Sequence, residues 1–331
     1  MPGRTAVLKW GALLSLLLFI LLLGGCRRQE ESQNDAEEIL VGFAQIGSES
    51  GWRIGNTRDM EEAAVRNGVR LMMEDANQKQ ENEIRALRSF IAYNVDVITF
   101  VPIVEDGWTN VLQEAKQAGI PVILSDRLVS EDVDPDLYSA YIGADFTQEG
   151  RNAGTFLLKK AEEMEGETLG IVELTGTKDS SPAIQREIGF HEVIDGNARF
   201  VMLDQMSGDF LRSKGRECME QLIERYGDQI DILYSHNDAM TYGAIEAMEA
   251  VGIVPGRDIV IISVDGEQEA IDLLREGKIN CVVECTPMLG DLVFDIAKRL
   301  AAGETVPKMT SPKEAVFTEY DDLSDLPPRG Y

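Results

Sequence analysis

Residues 39–53 read ILVGFAQIGSESGWR. Leu40 to Gln45 is a short apolar run of the kind that forms a buried β-strand, and the residues after it are polar and rich in glycine. Similar apolar runs recur about every 20 to 30 residues, with helical patterns between them. This alternation is typical of parallel β-sheets covered by helices.

Ten apolar runs are predicted strands, which is too many for one small sheet. They are Leu40 to Gln45, Arg70 to Glu74, Val97 to Val101, Val122 to Ser125, Tyr138 to Gly143, Leu169 to Leu174, Phe200 to Gln205, Ile232 to Ser235, Ile259 to Val264 and Asn280 to Glu284. Amphipathic helices are predicted between them, among them Gln80 to Tyr93 and Asp238 to Val251. The chain has 331 residues, more than one hydrophobic core usually holds, so we expect two lobes.

Polar side chains follow many of the predicted strands. Examples are Ser48 after the first strand, the pair Asp126-Arg127, the pair Asn237-Asp238, and Asp265. Open parallel sheets bind ligands in the crevice at the carboxyl ends of their strands. The sequence therefore predicts a site for a polar small molecule at these strand ends.

Residues 1–25 are predicted to be an export signal. Arg4 and Lys9 provide positive charge, and the apolar run from Trp10 to Leu23 is about 14 residues long, shorter than the roughly 20 that span a membrane. Leu23-Gly24-Gly25-Cys26 then resembles the lipobox of bacterial lipoproteins. We expect lipid on Cys26 to anchor the protein to the extracytoplasmic face of the cell membrane, with residues 26–38 as a flexible tether. The alternative is an ordinary signal or uncleaved anchor with an incidental cysteine.

Charge and composition exclude several classes of partner. The net charge of −27 repels nucleic acid. No zinc-type spacing surrounds the two histidines, His191 and His236, so we expect neither a metal nor a cofactor. Cys281 and Cys285 lie about 13 Å apart along a strand, beyond the roughly 4.4 to 6.8 Å of a disulfide. Together with Cys218, they are predicted to be buried small hydrophobic residues.

No motif predicts catalysis. His236 lies beside Asn237, but no second base, nucleophile or oxyanion site accompanies it, and we interpret it as structural. Ser180-Ser181 opens a helix without the Gly-x-Ser-x-Gly elbow of a nucleophile. A phosphate-binding Gly-x-x-x-x-Gly-Lys loop is also lacking. We therefore do not expect an enzyme.

Several short motifs, taken in their order and spacing, resemble those of the sugar-binding proteins of bacterial ABC transporters. The resemblance covers the whole mature chain and is to the ribose-binding group, most closely to its galactofuranose-binding members. The motifs are Val41-Gly42-Phe43, Gly47 to Arg53, Gln78 to Asn82, Leu124 to Arg127, Arg186 with Gly189-Phe190, Gly208 to Phe210, Ser235 to Asp238 and Val264 to Gly266.

The resemblance implies a type I periplasmic binding protein, an α/β fold of two doubly wound parallel-sheet lobes with a three-crossing hinge. The N-terminal lobe would comprise residues 39–144 and 286–312, and the C-terminal lobe with its tail 145–285 and 313–331. Such a protein, as a monomer, captures a monosaccharide between its lobes and delivers it to the permease of an ABC transporter. The ligand would be galactofuranose-like or a related furanose or pyranose.

The family's ligand-facing positions can be transferred to this chain one by one. A sugar needs flat aromatic side chains for its ring faces, here Trp52 and Phe210, and charged or amide groups for its hydroxyls. The last hinge crossing gives a further candidate, Glu284. The chain has Phe146 where family members commonly have an asparagine, which puts one polar contact in doubt. The complete predicted set is Ser48, Trp52, Arg53, Asp126, Arg127, Asp145, Arg186, Phe210, Asn237, Asp265 and Glu284.

Three other functions were weighed. A binding protein that presents sugar to a chemoreceptor or sensor kinase would have the same site, and the sequence does not separate it from a transport protein. The effector domain of a LacI-type repressor shares the fold, but the lipobox and the lack of an N-terminal helix-turn-helix oppose it. A secreted glycosidase would need paired acid and base carboxylates, for which Asp126 and Asp265 have a better account as acceptors from sugar hydroxyls.

Overall fold

The computed structural model describes residues 38–331; the predicted signal, Cys26 and nearly all of the predicted tether lie outside them. Residues 39–331 form one compact unit with two parallel-sheet lobes. Among the described helices, none combines the length and apolar character needed to cross a bilayer.

The first sheet has the strand order β11-β5-β4-β3-β1-β2, and all its pairs are parallel. Its strands are β1 (Leu40–Gln45), β2 (Arg70–Asp75), β3 (Val97–Phe100), β4 (Val122–Ser125), β5 (Ala140–Ile142) and β11 (Met309–Thr310). The helices of this lobe are α1 (Gly51–Asn67), α2 (Gln80–Tyr93), α3 (Thr109–Ala118) and α9 (Gly290–Ala301). The strand order reverses direction at β1, as expected of a doubly wound sheet.

The second sheet has the order β12-β10-β9-β8-β6-β7, in which only the β10–β12 pair is antiparallel. Its strands are β6 (Leu169–Thr175), β7 (Phe200–Ser207), β8 (Ile232–Ser235), β9 (Val260–Asp265), β10 (Cys281–Glu284) and β12 (Val316–Thr318). Its helices are α4 (Phe146–Ala161), α5 (Ser181–Ile194), α6 (Arg212–Tyr226), α7 (Asp238–Ala250) and α8 (Gln268–Arg275).

The chain passes between the two sheets three times. The crossings lie between β5 and α4, between β10 and α9, and between β11 and β12. The predicted fold, two doubly wound lobes with a three-crossing hinge, is therefore confirmed. All ten predicted strands are present with small shifts of their ends, and only the two- and three-residue strands β11 and β12 were not predicted.

Apolar cores fill both lobes. Trp108 is fully buried, with its ring centroid 5.0 Å from that of Phe100. The described cysteines, Cys218, Cys281 and Cys285, are buried and unpaired, as predicted.

Helices α4 and α5 cross with their backbones in contact, because each has a glycine at the crossing. A Cβ atom on Gly189 would lie 2.0 Å from the carbonyl oxygen of Thr147, and one on Gly150 would lie 2.2 Å from that of Arg186. Neither position has room for a side chain. The two glycines thus fix the distance between α4 and α5.

Gly189→Ala should lower the free energy of unfolding by about 1–3 kcal/mol or more, since the added methyl group forces the two helices apart. Denaturant-induced unfolding followed by circular dichroism measures this loss. The control is Thr155→Ala on the exposed face of α4, which should change stability by less than about 0.5 kcal/mol. Equal stability of the two variants would contradict this account of the crossing.

Candidate ligand-binding site

A cavity lies between the lobes at the carboxyl ends of their strands, with about 320 Å³ of unfilled space that includes its opening to solvent. The lining residues are Glu49, Ser50, Trp52, Arg53, Asp126, Arg127, Phe146, Pro182, Arg186, Phe210, Asn237, Asp265 and Cys285. Both lobes contribute polar and aromatic side chains to it.

Arg53 and Asp126 form a buried ion pair on the N-terminal lobe. A guanidinium nitrogen of Arg53 lies 2.6 Å from Asp126 Oδ2, and Arg53 Nε lies 3.1 Å from Glu49 Oε1. Burial would lower the pKa of Arg53, but the carboxylates of Asp126 and Glu49 outweigh burial and raise it. Arg53 is therefore a fixed cation whose partners hold it against the cavity.

Arg127 has fewer compensating contacts. Its Nη1 donates to the carbonyl oxygen of Ile103 at 3.1 Å, and its guanidinium carbon lies 5.2 Å from the centre of the Phe210 ring. Its Nε is buried without a hydrogen-bond partner, 4.0 Å from Asp126 Oδ2. Burial, with the nearby charge of Arg53, lowers the pKa of Arg127 to about 10. Arg127 remains a cation at neutral pH and is ready to donate to a ligand.

Trp52 reaches from the first turn of α1 to the second hinge crossing. Its indole N–H donates to the carbonyl oxygen of Cys285 at 2.6 Å, which fixes the orientation of the ring. Helix α1 begins where Ser50 Oγ accepts the N–H of Arg53 at 3.1 Å, the usual role of serine at this position. The loop sequence thus sets both the aromatic ring and the neighbouring guanidinium.

Arg186 is the corresponding cation of the C-terminal lobe. Its Nε lies 2.7 Å from Glu149 Oε2, Nη1 donates to the carbonyl oxygen of His236, and Nη2 is 3.9 Å from Asp265 Oδ1. The guanidinium carbon also lies 5.2 Å from the centre of the Phe146 ring. Burial would lower the pKa of Arg186, but Glu149, together with Cys285 and Asp265, raises it.

Asn237 and Asp265 complete the polar lining of the C-terminal lobe. Asn237 Oδ1 accepts the N–H of Met240 at 3.0 Å and so caps α7, while its Nδ2 donates to Phe210 O at 3.3 Å. Burial, with the nearby carboxylate of Asp238, raises the pKa of Asp265 well above its usual range. A hydrogen-bond donor on a bound ligand would therefore stabilise the charged form of Asp265.

Three lining residues have a left-handed backbone, with φ of 61° at Asp126, 62° at Phe210 and 123° at Asp265. Residues other than glycine are strained in this region, and such strain is concentrated at functional sites. The strained backbone conformation at these three residues directs their side chains into the cavity.

The structure brings eight of the eleven predicted site residues around the cavity, and the other three lie elsewhere. Ser48 is exposed and faces a different surface pocket. Asp145 is exposed and caps α4 by accepting the N–H of Gln148 at 2.9 Å. Glu284 pairs with Arg329 and accepts the N–H of Ala315 at 2.8 Å. Asp145 and Glu284 are thus engaged in contacts outside the cavity, and none of the three residues is part of its lining.

Five lining residues were not in the predicted set. Glu49 and Ser50 lie in the loop already identified, between Ser48 and Trp52. Phe146 was noted as a departure, and the structure shows its ring fully buried beneath Arg186. The lining positions of Pro182 and Cys285 follow from tertiary structure, and no local pattern indicates them.

His236 is structural in the geometry. It is fully buried, and its Nε2 lies 2.7 Å from Glu173 Oε1, while its carbonyl oxygen holds Arg186. Its ring is not part of the cavity lining. His236 therefore contributes to the site indirectly, because its carbonyl oxygen holds the guanidinium of Arg186.

Within residues 38–331, one group could offer three ligand atoms to a cation: Glu149, Cys285 and Glu314. Glu149 already pairs with Arg186. Burial, with the nearby Glu149, raises the pKa of Glu314 to about 8, and burial raises that of the Cys285 thiol well above its usual range. Protonated groups are poor metal ligands, so this cluster has little tendency to bind an ion.

The lobes are closed over the cavity. The backbone N–H of Leu128 donates to Ser181 Oγ at 2.9 Å, and that of Glu105 donates to the carbonyl oxygen of Asp179 at 3.0 Å. Each bond joins a loop of the first lobe to a loop or helix of the second. The fold and site thus define a two-lobed binding protein that encloses a small polar molecule.

The chain belongs to the family of periplasmic binding protein domains, which it matches over residues 41–305. The galactofuranose-binding protein YtfQ of Escherichia coli (strain K12) is 40% identical over 302 residues, which cover 89% of this chain and 94% of that protein. The homologues are sugar-binding proteins and not enzymes. The predicted family, sugar-binding class and lack of enzymatic activity are confirmed.

Two solved structures show similar chains with furanose sugars. One, from Mycobacterium smegmatis in complex with beta-D-fucofuranose, is 46% identical with a TM-score of 0.82, covering 85% of this chain and 91% of that chain. The other is the binding component of the arabinose ABC transporter from Shewanella sp. ANA-3, bound to alpha and beta-L-arabinofuranose. It is 40% identical with a TM-score of 0.81, covering 85% of this chain and 92% of that chain.

Glu149→Ala should destabilise the protein by about 3–5 kcal/mol, because it leaves the buried guanidinium of Arg186 without its carboxylate. Glu192→Ala is a matched control, since Glu192 pairs with Arg151 across the same two helices but in solvent, with the two side chains 47% and 42% exposed. That change should cost less than about 1 kcal/mol. Chemical denaturation measures both, and equal losses would show that burial does not set the strength of the Arg186 pair.

Proposed function

We propose that this protein is the solute-binding lipoprotein of an ABC importer and that it captures a furanose sugar, galactofuranose or a close relative. The observation that carries the proposal is the closed interlobe cavity lined by Arg53, Asp126, Arg127, Arg186 and Asp265 together with three aromatic rings. Similar chains at 40–46% identity are named for, or solved with, furanose sugars.

The lining suits a sugar chemically. Ring hydroxyls both donate and accept, and the cavity offers fixed cations as donors and the carboxylates of Asp126 and Asp265 as acceptors. Trp52 and Phe210 offer apolar surfaces to the ring. A neutral ligand leaves the ion pairs of the lining intact, because it needs no counter-charge of its own.

Capture follows from the division of the site between the lobes. Arg53, Asp126 and Arg127 belong to the proposed N-terminal lobe (39–144 and 286–312), and Arg186, Phe210, Asn237 and Asp265 to the proposed C-terminal lobe (145–285 and 313–331). A sugar bound to one lobe gains the contacts of the other only when the hinge closes. The ligand therefore stabilises the closed form, which is the form that would dock on a permease.

Export and anchoring complete the proposal. Cys26 follows Leu23-Gly24-Gly25, and the proposed lipid on Cys26 would hold the binding domain near the permease through residues 26–38. We prefer transport over sensing because a similar structure at 40% identity is the binding component of an ABC transporter.

The fragment from Asp35 to Tyr331 should bind a five-membered sugar ring one-to-one in calorimetric titration. 1,4-Anhydrogalactitol and 1,5-anhydrogalactitol hold the furanose and pyranose rings without interconversion, and D-galactose, L-arabinose and D-ribose extend the series. We expect the furanose analogue to bind at least about tenfold more tightly, a difference of about 1.4 kcal/mol. Binding of the pyranose analogue alone would overturn the choice of ring, and no heat with any sugar would overturn the function.

Asp126→Ala and Arg186→Ala should each abolish this binding while the far-ultraviolet circular dichroism spectrum stays unchanged. Arg88→Ala is the control, because Arg88 pairs with Glu114 on the surface. Normal affinity in both site variants would refute the assignment of the cavity.

Cys26→Ala should abolish the incorporation of labelled palmitate into the full-length protein in an expressing bacterium, because the proposed acceptor thiol is lost. Cys218→Ala is the matched control, because Cys218 is buried in the C-terminal lobe and should leave labelling unchanged. Continued labelling of the Cys26 variant would show that the cysteine is not the anchor.

A further inference from the structure

Glu267 is a carboxylate of the C-terminal lobe that reaches the N-terminal lobe. It follows β9 and is 7% exposed. Its Oε1 accepts the backbone N–H of Trp52 at 2.7 Å, and its Oε2 accepts the hydroxyl of Tyr242 at 3.1 Å. Glu267 does not line the cavity, so it is free of any direct contact with the proposed sugar.

The position of Glu267 is fixed from its own lobe. The backbone N–H groups of Gly266 and Glu267 both donate to Asp238 Oδ2 at 2.8 Å, and Asp238 also accepts the hydroxyl of Ser263. Tyr242 belongs to α7, whose first residue is Asp238. The carboxylate is therefore held in place before the lobes meet.

The Glu267 carboxylate lies at the first turn of α1, where the helix has backbone N–H groups that need a hydrogen-bond acceptor. The N–H of Trp52 lies in the first turn of α1, where backbone donors have no partner inside the helix, and the helix dipole favours negative charge there. A Cβ atom at Gly51 would lie 2.8 Å from both oxygens of Glu267, so the approach requires glycine. Gly51 and Trp52 thus leave room at the start of α1 for the Glu267 carboxylate of the opposite lobe to accept the Trp52 N–H.

We propose that Glu267 is a positioning residue that latches the C-terminal lobe onto the first turn of α1 and so holds Trp52 against the ligand only in the closed form. The indole of Trp52 is fixed at the hinge by Cys285, and its backbone is fixed by Glu267 across the cleft. Opening of the hinge breaks the second bond and leaves the first. The latch therefore adds to the stability of the closed state without touching the sugar.

The test compares Glu267→Ala, Glu267→Gln and Glu269→Ala in the fragment from Asp35 to Tyr331. Glu269 is exposed two residues away and pairs only with Arg212 among the described residues, which makes it a matched control. Affinity and dissociation rate are measured with 1,4-anhydrogalactitol, the fixed furanose ring of the titration above. In parallel, spin labels on Tyr93→Cys and Val251→Cys, which are 66% and 62% exposed on opposite lobes, report the closed fraction with and without sugar.

Glu267→Ala should weaken binding by about 10- to 100-fold, the effect expected for a lost hydrogen bond to a charged group. The loss should lie in a faster dissociation rate and a smaller closed fraction. Glu267→Gln keeps an acceptor for the Trp52 N–H and should recover most of the affinity, whereas Glu269→Ala should match the unmodified protein.

This inference rests on the proposed function, and the two fail differently. Affinity and closed fraction of Glu267→Ala within twofold of the unmodified protein would overturn the latch while leaving sugar binding intact. If the unmodified fragment binds no sugar, the proposed function fails, and the latch is then judged by the closed fraction of ligand-free protein. An equal closed fraction with and without the Glu267 carboxylate would overturn it.

Discussion

The arrangement of the cleft depends on one constraint: guanidinium groups must stay charged where water is excluded. Arg53, Arg127 and Arg186 are each 3% exposed. Burying a cation is costly unless it is paired and hydrogen-bonded, so each arginine requires nearby acceptors. This requirement explains why Glu149 is buried beside Arg186 and why Asp126 keeps a left-handed backbone next to Arg53.

In the ion pairs of the cleft with N–O distances below 3.5 Å, both partners belong to the same lobe. Arg53 pairs with Asp126 inside the N-terminal lobe, and Arg186 pairs with Glu149 inside the C-terminal lobe. Each half of the cleft is therefore organised before closure, and the bonds between lobes are fewer and mostly involve backbone N–H groups. Closure therefore requires little rearrangement of these ion pairs.

Local sequence was enough to predict the strands and helices of the two lobes, but it predicted only part of the cavity lining. Buried parallel strands are continuous apolar runs, so ten strands were predictable, whereas β11 and β12 are too short to leave a pattern. The predicted residues that line the cavity follow strand ends or family motifs. Glu267 escaped prediction because its partner, Trp52, is 215 positions away in the chain. Asp145 was predicted as a ligand contact, and in the structure it caps α4; helix capping and ligand contact favour the same residue type, so local sequence does not separate the two roles.

The two tryptophans of the described residues have opposite surroundings. Trp108 is sealed in the core of the N-terminal lobe against Phe100, and Trp52 borders the cavity beneath the guanidinium of Arg53, 4.6 Å from the ring centre. Indole emission responds to nearby charge and solvent, so the core residue supplies a constant signal and Trp52 a variable one. A ligand in the proposed site would therefore change the emission of Trp52, with Trp108 as an internal reference in the same polypeptide.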